Sequence, residues 1–362
     1  MKLRENALYD LMTVTSMGLR ITPANRMPVA TSRLYEMQVT SAESNVLNIS
    51  ASLGKRTKVL TRFVEDSPIS YFIKAELRRR NIEYDGLDVP QGGPWGYRHQ
   101  INIADSGYGF RAPHVLNDRA GEVGRSIKAE DFDLEQIFER DGCRILHLSG
   151  LVAALSPEST DACLKIARFA KKHGTAISFD LNHRASFWKD REDELLASFR
   201  EIASLADILI GNEEDYQLAL GVEGPPPGDE VSDETDDALK ITAFQEMIGR
   251  ASEAFPNVEV FATTLRHVLS ANEHAWGAIL RANGEWFVEE PKDIQILDRI
   301  GGGDGFVGGL LYSILSEWEP AKWVQFAWAT GAMASSVTDD FATPTSEDQV
   351  WAIHAGNARV QR

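Results

Sequence analysis

Short, almost continuously apolar runs alternate along this chain with longer segments of helical period, and few folds accommodate that alternation. The runs are Leu11–Thr15, Lys58–Phe63, Ile145–Leu148, Ala176–Asp180, Ile208–Ile210, Val258–Thr263, Trp276–Leu280 and Trp286–Val288. Strands apolar on both faces belong to a parallel sheet with helices packed on each side. The helical segments are Pro68–Arg80, Pro157–His173, Glu192–Ala206, Thr242–Phe255, Asp304–Trp318 and Ala321–Val337. The first two open on Ser67-Pro68 and Ser156-Pro157, a cap residue followed by a first-turn proline. The spacing predicts an α/β fold, a doubly wound, mostly parallel sheet flanked by helices.

Two segments break the rhythm. Ile21–Gln38 and Asp85–Gly124 carry short polar and aromatic β-like pieces without helical period, and the second holds eight glycines from Gly86 to Gly124. They predict a small β lid over the sheet edge, with long surface loops as the alternative. No repeat of 20–50 residues is present, so residues 1–362 read as one domain carrying two lid insertions.

Acids outnumber bases by 54 to 37, a net charge of −17. Such a surface repels phosphate backbones and anionic headgroups, so nucleic acid and membrane are not expected partners. Seven of the acids fall between Val222 and Asp237, without a base among them, and read as an acidic solvated loop. The two cysteines, Cys143 and Cys163, form no CxxC or metal-ligand pattern. The N-terminus lacks an apolar leader run, and nowhere do 18 apolar residues follow one another, which makes a cytoplasmic protein the default expectation.

The strongest local signal begins where a strand ending near Leu297 runs into Asp298-Arg299-Ile300-Gly301-Gly302-Gly303-Asp304-Gly305-Phe306. Phe306, Leu310, Leu311, Ile314, Leu315 and Trp318 then follow helical spacing, so the glycines sit at a helix N-terminus. Free N–H groups, the positive end of the helix dipole and the lack of side chains make a phosphate cradle there. An acid in that place repels an anion, unless the reaction needs a proton acceptor beside a transferring phosphoryl group. A tight turn with a favourable first-turn acid is the bland alternative.

Two other motifs compete. A Walker A loop is absent, since the only Gly-Lys pair, Gly54-Lys55, is followed by Arg56. Residues Gly303 to Gly308 satisfy GxGxxG, the formal signature of a dinucleotide-binding hydride-transfer enzyme. However, Lys322–Trp328, some 20 residues on, supplies no acid for a ribose.

The segment Asp298–Phe306 resembles the C-terminal signature of the ribokinase-like (PfkB) carbohydrate kinases, and its DRIGGGD form resembles the 2-keto-3-deoxygluconate kinases in particular. Ala42-Glu43-Ser44-Asn45 is similar to the N-terminal GGAEsN segment of that family. Asp180-Leu181-Asn182-His183-Arg184 is similar to the D-x-N-x-R strand end of the keto-deoxy-sugar branch, and Gly211-Asn212-Glu213-Glu214-Asp215 sits where the family has N-x-x-E. The resemblance implies a ribokinase-like fold and an ATP-dependent kinase with Mg2+, phosphorylating a primary hydroxyl of a sugar acid, with 2-keto-3-deoxygluconate the expected one. Fructose or another ketose, and a catalytically silent sugar-binding protein, are the rivals.

By that resemblance Asp304 is the base, and Gly301, Gly302 and Gly303 hold the transferring phosphoryl group by their backbone N–H groups. Ser41, Asn45, Tyr97, Arg119 and Arg184 contact the sugar. Asn182, Asn212, Thr264, Arg266 and Gly303 contact the nucleotide, and Asn212 and Asp215 orient magnesium and its waters. A carboxylate substrate calls for arginines in a fork geometry within so acidic a protein. A monovalent cation such as K+ and a homodimer through the lid are further implications. The sequence departs from the family pattern at Thr40-Ser41, where paired glycines are usual, at Thr15-Ser16, where Gly-Glu or Gly-Asp is usual, and at Arg266, where a glycine follows Thr-Leu or Lys-Leu; His267–Trp276 then reads as an insertion.

Overall fold

The computed structural model describes residues 1–226 and 237–359, so most of the acidic loop expected at 222–237 lies outside the described residues. Among the described residues the strands are β1 (Tyr9–Val14), β2 (Gly18–Pro23), β3 (Tyr35–Thr40), β4 (Thr57–Val64), β5 (Ile82–Val89), β6 (Gln100–Asp105), β7 (His114–Asp118), β8 (Cys143–Ser149), β9 (Ala176–Asp180), β10 (Ile208–Ile210), β11 (Val260–Ser270), β12 (Glu273–Ala282) and β13 (Glu285–Gln295). Nine of them form one sheet in the order β13-β12-β11-β10-β9-β8-β1-β4-β5. From β5 to β11 every neighbouring pair is parallel, while β12 and β13 close that end as antiparallel strands. The fold is the doubly wound, mostly parallel α/β sheet that the alternation predicts.

Helices cover both faces because the central strands are apolar on both. One face buries Leu148, Phe179, Phe199 and Ile166, and the other buries Leu11, Ile145, Leu310 and Phe326. Each such side chain contributes about 1.5–3 kcal/mol on leaving water. Ser156 caps its helix by accepting from Ser159 N (3.1 Å), whereas the Ser67 side chain makes no cap bond.

A second sheet, β3-β2-β6-β7, is the lid. Its boundaries differ from the expected ones. Asp85–Val89 belongs to the main sheet, as the second half of β5 in register with Leu60–Val64, and the first insertion spans Gly18–Thr40. The second half of β5 is only partly buried and sets Asp85, Gly86 and Asp88 among its apolar residues, so it lacks the continuous apolar run of an inner strand. His267–Trp276, read as an insertion, is the far end of the β11–β12 hairpin, with Arg266 paired to Trp276.

Period two sorts the lid residues onto two faces. Register places Thr40, Arg20, Gln100, Asn102, Ala104, Val115 and Asn117 on one face and Tyr35, Met37, Ile21, Ile103 and Leu116 on the other. The first set is turned toward the main sheet and lines a cavity.

Candidate active site

The parallel strands end along one edge of the sheet, and between that edge and the polar lid face lies a cavity of about 700 Å3. Strand order reverses at β1, between β4 and β8, where open α/β sheets place their ligands. Ser16 beyond β1, Asp180 at the end of β9 and Gly211-Asn212 beyond β10 all line the cavity.

The helix Gly302–Leu315 points its N-terminus into this space, with Gly301 as its left-handed cap at φ 86°. The three glycines are there for three reasons. A Cβ on Gly301 would sit 1.8 Å from the Asp340 carbonyl oxygen, and the positive φ disfavours any side chain. Gly302 is buried and backs onto Ser335, where a Cβ would approach Oγ to 2.8 Å. Gly303 faces the cavity, and a Cβ there would meet nothing within 4 Å. Its smallness answers to something that is not protein.

Asp304 stands in the first turn of that helix, on the cavity wall. Asn45 Nδ2 donates to its Oδ2 at 2.9 Å. Burial pushes the carboxyl up to about 7, the Asp340 and Glu43 carboxylates push the same way, and the Asn45 amide and Arg184 oppose them. The group is thus poised near neutrality, where a proton acceptor is most useful.

Asn45 is delivered by the helix Ala42–Ser52, whose N-cap Ser41 accepts from Ser44 N (3.0 Å). Both line the cavity. Glu43, beside them, is buried, accepts from the Thr15 hydroxyl (2.7 Å) and keeps its other oxygen unpartnered. Asn45, Gln100 and Asn102 likewise each present an unpartnered side-chain oxygen.

Arg184 lines the cavity, donates Nη1 to the His183 carbonyl (2.7 Å) and makes no salt bridge among the described residues. Arg119 also lines it, but its Nη1 donates to the fully buried Glu122 (2.6 Å) and its guanidinium lies 5.0 Å from the Phe187 ring centre. Tyr97 does not line the cavity. The segment between β5 and β6 folds on itself, with Tyr97 N donating to the Gln91 carbonyl (2.8 Å).

Asn182 reaches the cavity from a left-handed backbone, φ 36°, with its Oδ1 unpartnered. Asn tolerates that conformation better than most residues, and functional sites commonly hold such strain. Asn212 caps the helix Glu213–Leu220: its Oδ1 accepts from Asp215 N (2.8 Å), while Asp215 Oδ2 accepts from Asn212 N (2.9 Å). Asp215 Oδ1 accepts from His183 N (2.8 Å). Burial raises Asp215 despite these bonds, and Asp180 lies well above the usual carboxylate range through burial and the nearby Asp215 and Asp304. A second cavity of about 200 Å3 adjoins the first, and Asn212, Thr264, Arg266 and Arg299 line both.

Arg20, Asp340, Arg299, Asp180 and Glu43 are wall residues that motif reading did not single out as site residues. Asp180 and Glu43 lay inside quoted motifs, and Arg299 inside the glycine segment. Nothing near Arg20 or Asp340 in sequence marks them.

A glycine-lined helix start, a carboxylate beside it and a polar lid over a parallel sheet are the arrangement of a phosphotransferase with an alcohol as acceptor. The chain belongs to the pfkB family of carbohydrate kinases, whose model matches residues 36–251 and 272–344. The unmatched stretch between them contains Arg266. The chain is similar to a 2-dehydro-3-deoxygalactonokinase of Haloferax volcanii, 24% identical over 359 residues, covering 98% of this chain and 99% of that one. Its structure is similar to that of a 2-dehydro-3-deoxygluconokinase from Thermotoga maritima, with a TM-score of 0.85, 26% identity and coverage of 96% and 100%. A fructokinase double mutant from Vibrio cholerae, with fructose, ADP and potassium bound, shares the fold at a TM-score of 0.73 and 18% identity, covering 97% of this chain and 99% of that one. Kinases of this family use ATP with Mg2+.

Proposed function

We propose that the protein transfers the γ-phosphoryl group of ATP to the primary hydroxyl of a 2-keto-3-deoxy sugar acid. The observation that carries this is Asp304, held by Asn45 beside the glycine cradle, with Arg184 on the same cavity wall. The acceptor hydroxyl sits between Asp304 and the cradle. Asp304 takes its proton as the phosphoryl group moves, and the Gly302–Leu315 helix start stabilises the charge on the equatorial oxygens. The nucleotide lies across the throat shared by the two cavities, with Asn182, Asn212, Thr264 and Arg266 beside its phosphates and base.

The donors around Asp180, Asn212 and Asp215 are all oxygen, and the mutual repulsion of Asp180 and Asp215 is what a hydrated divalent cation relieves. No cluster of three His, Cys, Asp or Glu among the described residues could hold a metal, which suits an ion held largely through water and phosphate. When bound, Mg2+ neutralises phosphate charge and aligns the donor. Potassium remains an expectation from the family.

Substrate choice within the class is tested directly. A coupled assay for ADP with 2-keto-3-deoxygluconate, its galactonate epimer, fructose and no sugar should give turnover with the keto-deoxy acids. Turnover with fructose alone would overturn the sugar-acid reading. Arg184→Ala should raise KM for the acid by about tenfold or more with a smaller change in kcat, since loss of a charged hydrogen bond is worth about 1.5–3 kcal/mol. An unchanged KM would remove Arg184 from carboxylate recognition.

The lid's outer face supports the expected homodimer. Tyr35, Met37 and Leu116 are exposed there, and Leu34 next to them is 70% exposed, a contiguous apolar surface of the kind that docks a second copy. Light scattering should give about twice 40.1 kDa, and Met37→Glu should shift it to one. A 40.1 kDa particle for the unaltered chain rejects the dimer. Among the described residues no helix is long and apolar enough to cross a membrane.

A further inference from the structure

Arg20 is the largest fully buried side chain of the described protein, 1% exposed, and it enters the site from the lid rather than from the main sheet. Its two terminal nitrogens form ion pairs with different carboxylates, Nη2 with Asp298 and Nη1 with Asp340. Asp298 opens the glycine segment, is inaccessible to solvent, and accepts from Ile300 N (3.0 Å) with its remaining oxygen. Asp340 follows the long C-terminal helix Pro320–Ser335; its second oxygen accepts from the Thr40 hydroxyl on β3, and its carbonyl packs against the Cα of Gly301. A single guanidinium therefore grips both supports of the phosphate cradle, the residue before it in sequence and the residue beneath it in space.

We propose that Arg20 is a positioning residue for phosphoryl transfer: from the lid strand it sets the cradle of Gly301–Gly303 and the adjoining Asp304 in register with the cavity. The proposal rests on the phosphotransferase reading of this site, and not on which sugar it accepts.

Three considerations carry it. Two buried carboxylates share one cation, which leaves an excess negative charge beside a site for phosphate. Without Arg20 that charge doubles, and Asp340 already acts on Asp304 through space. Stability alone does not explain such a group, because buried ion pairs are commonly replaced by apolar residues with little or no loss. Geometry explains the choice of arginine: a planar fork bonds two carboxylates in fixed directions, and an ammonium cannot. Misplacing a reacting group by about 1 Å costs about 100-fold in rate, so a loop held by one fork is sensitive to losing it.

The test compares Arg20→Lys and Arg20→Met with the unaltered chain in the coupled assay, with thermal unfolding of each followed in parallel. Arg20→Lys keeps a cation and should stay folded, with kcat lowered by about 10- to 100-fold and KM for the sugar changed by less than about threefold. Arg20→Met leaves two unpaired carboxylates and should lower both kcat and the unfolding temperature. The double variant Arg20→Met with Asp340→Asn, which leaves one unpaired carboxylate in place of two, should regain part of the lost unfolding temperature but no kcat.

Three results overturn the proposal: full kcat in folded Arg20→Lys, recovery of kcat together with stability in the double variant, or a loss expressed in KM alone. Absence of turnover by the unaltered chain on every sugar overturns the phosphotransferase reading itself, and the proposal with it.

Discussion

Asp304→Asn should lower kcat by about 10²–10⁴-fold while changing the affinity for the sugar little, because general-base catalysis contributes in that range and the Asn45 contact survives with an amide partner. The same residue sets the pH dependence. With its carboxyl raised to about 7, the unaltered enzyme loses kcat/KM as pH falls through neutrality and the acceptor becomes protonated. A profile flat from pH 5 to 9, or full turnover in Asp304→Asn, would remove Asp304 from the chemistry.

Stability should move the other way. A carboxyl whose folded value lies above its ordinary 3.8 binds its proton more tightly when folded, so it disfavours the fold increasingly from about pH 3.8 upward, and fully above about 7. At about 1.4 kcal/mol per pH unit, that interval amounts to roughly 4 kcal/mol as an upper bound. Asp304→Asn should therefore unfold several degrees higher than the unaltered chain at pH 8, with the gain vanishing near pH 4. A stability gain coupled to lost turnover is what a strained functional group gives.

Alanine substitutions should separate the glycines of the cradle. Gly303→Ala meets no protein atom within 4 Å, so its thermal unfolding should match that of the unaltered chain. Its methyl group would nevertheless occupy the space where an anion approaches the helix start, and kcat should fall by about 10²–10³-fold, the loss seen when a charge-stabilising donor is removed. Gly301→Ala should fail by a different route. Its backbone is left-handed, which costs roughly 1–2 kcal/mol for an L residue, and its Cβ would collide with the Asp340 carbonyl. A lowered unfolding temperature together with lost activity is expected there. Equal effects of the two substitutions on stability would mean that Gly303 is also structural.

The legible parts of this protein were those whose cause is local. The Asp298–Phe306 segment announces a helix start because three glycines, an acid and an apolar period lie within one short stretch of chain. Asn45 and Arg184 could be proposed because each sits in a compact motif at the end of a strand or the start of a helix. Strand β5 was partly missed because an edge strand with an exposed face loses the apolar run that marks its inner neighbours. Tyr97 lies outside the cavity lining, because proximity to lid residues in sequence does not say where a loop comes to rest.

What the amino-acid order determined by itself is the succession of strands and helices, the glycine-rich helix start and the identity of the acid beside it. These follow from side-chain periodicity and backbone freedom over a few residues. Only the tertiary structure decided that Arg20 meets partners 278 and 320 residues away, that the polar face of the lid closes the cavity, and that burial lifts Asp304 toward neutrality. Charge and desolvation act through space, so they become defined only once distant segments have packed around the same cavity.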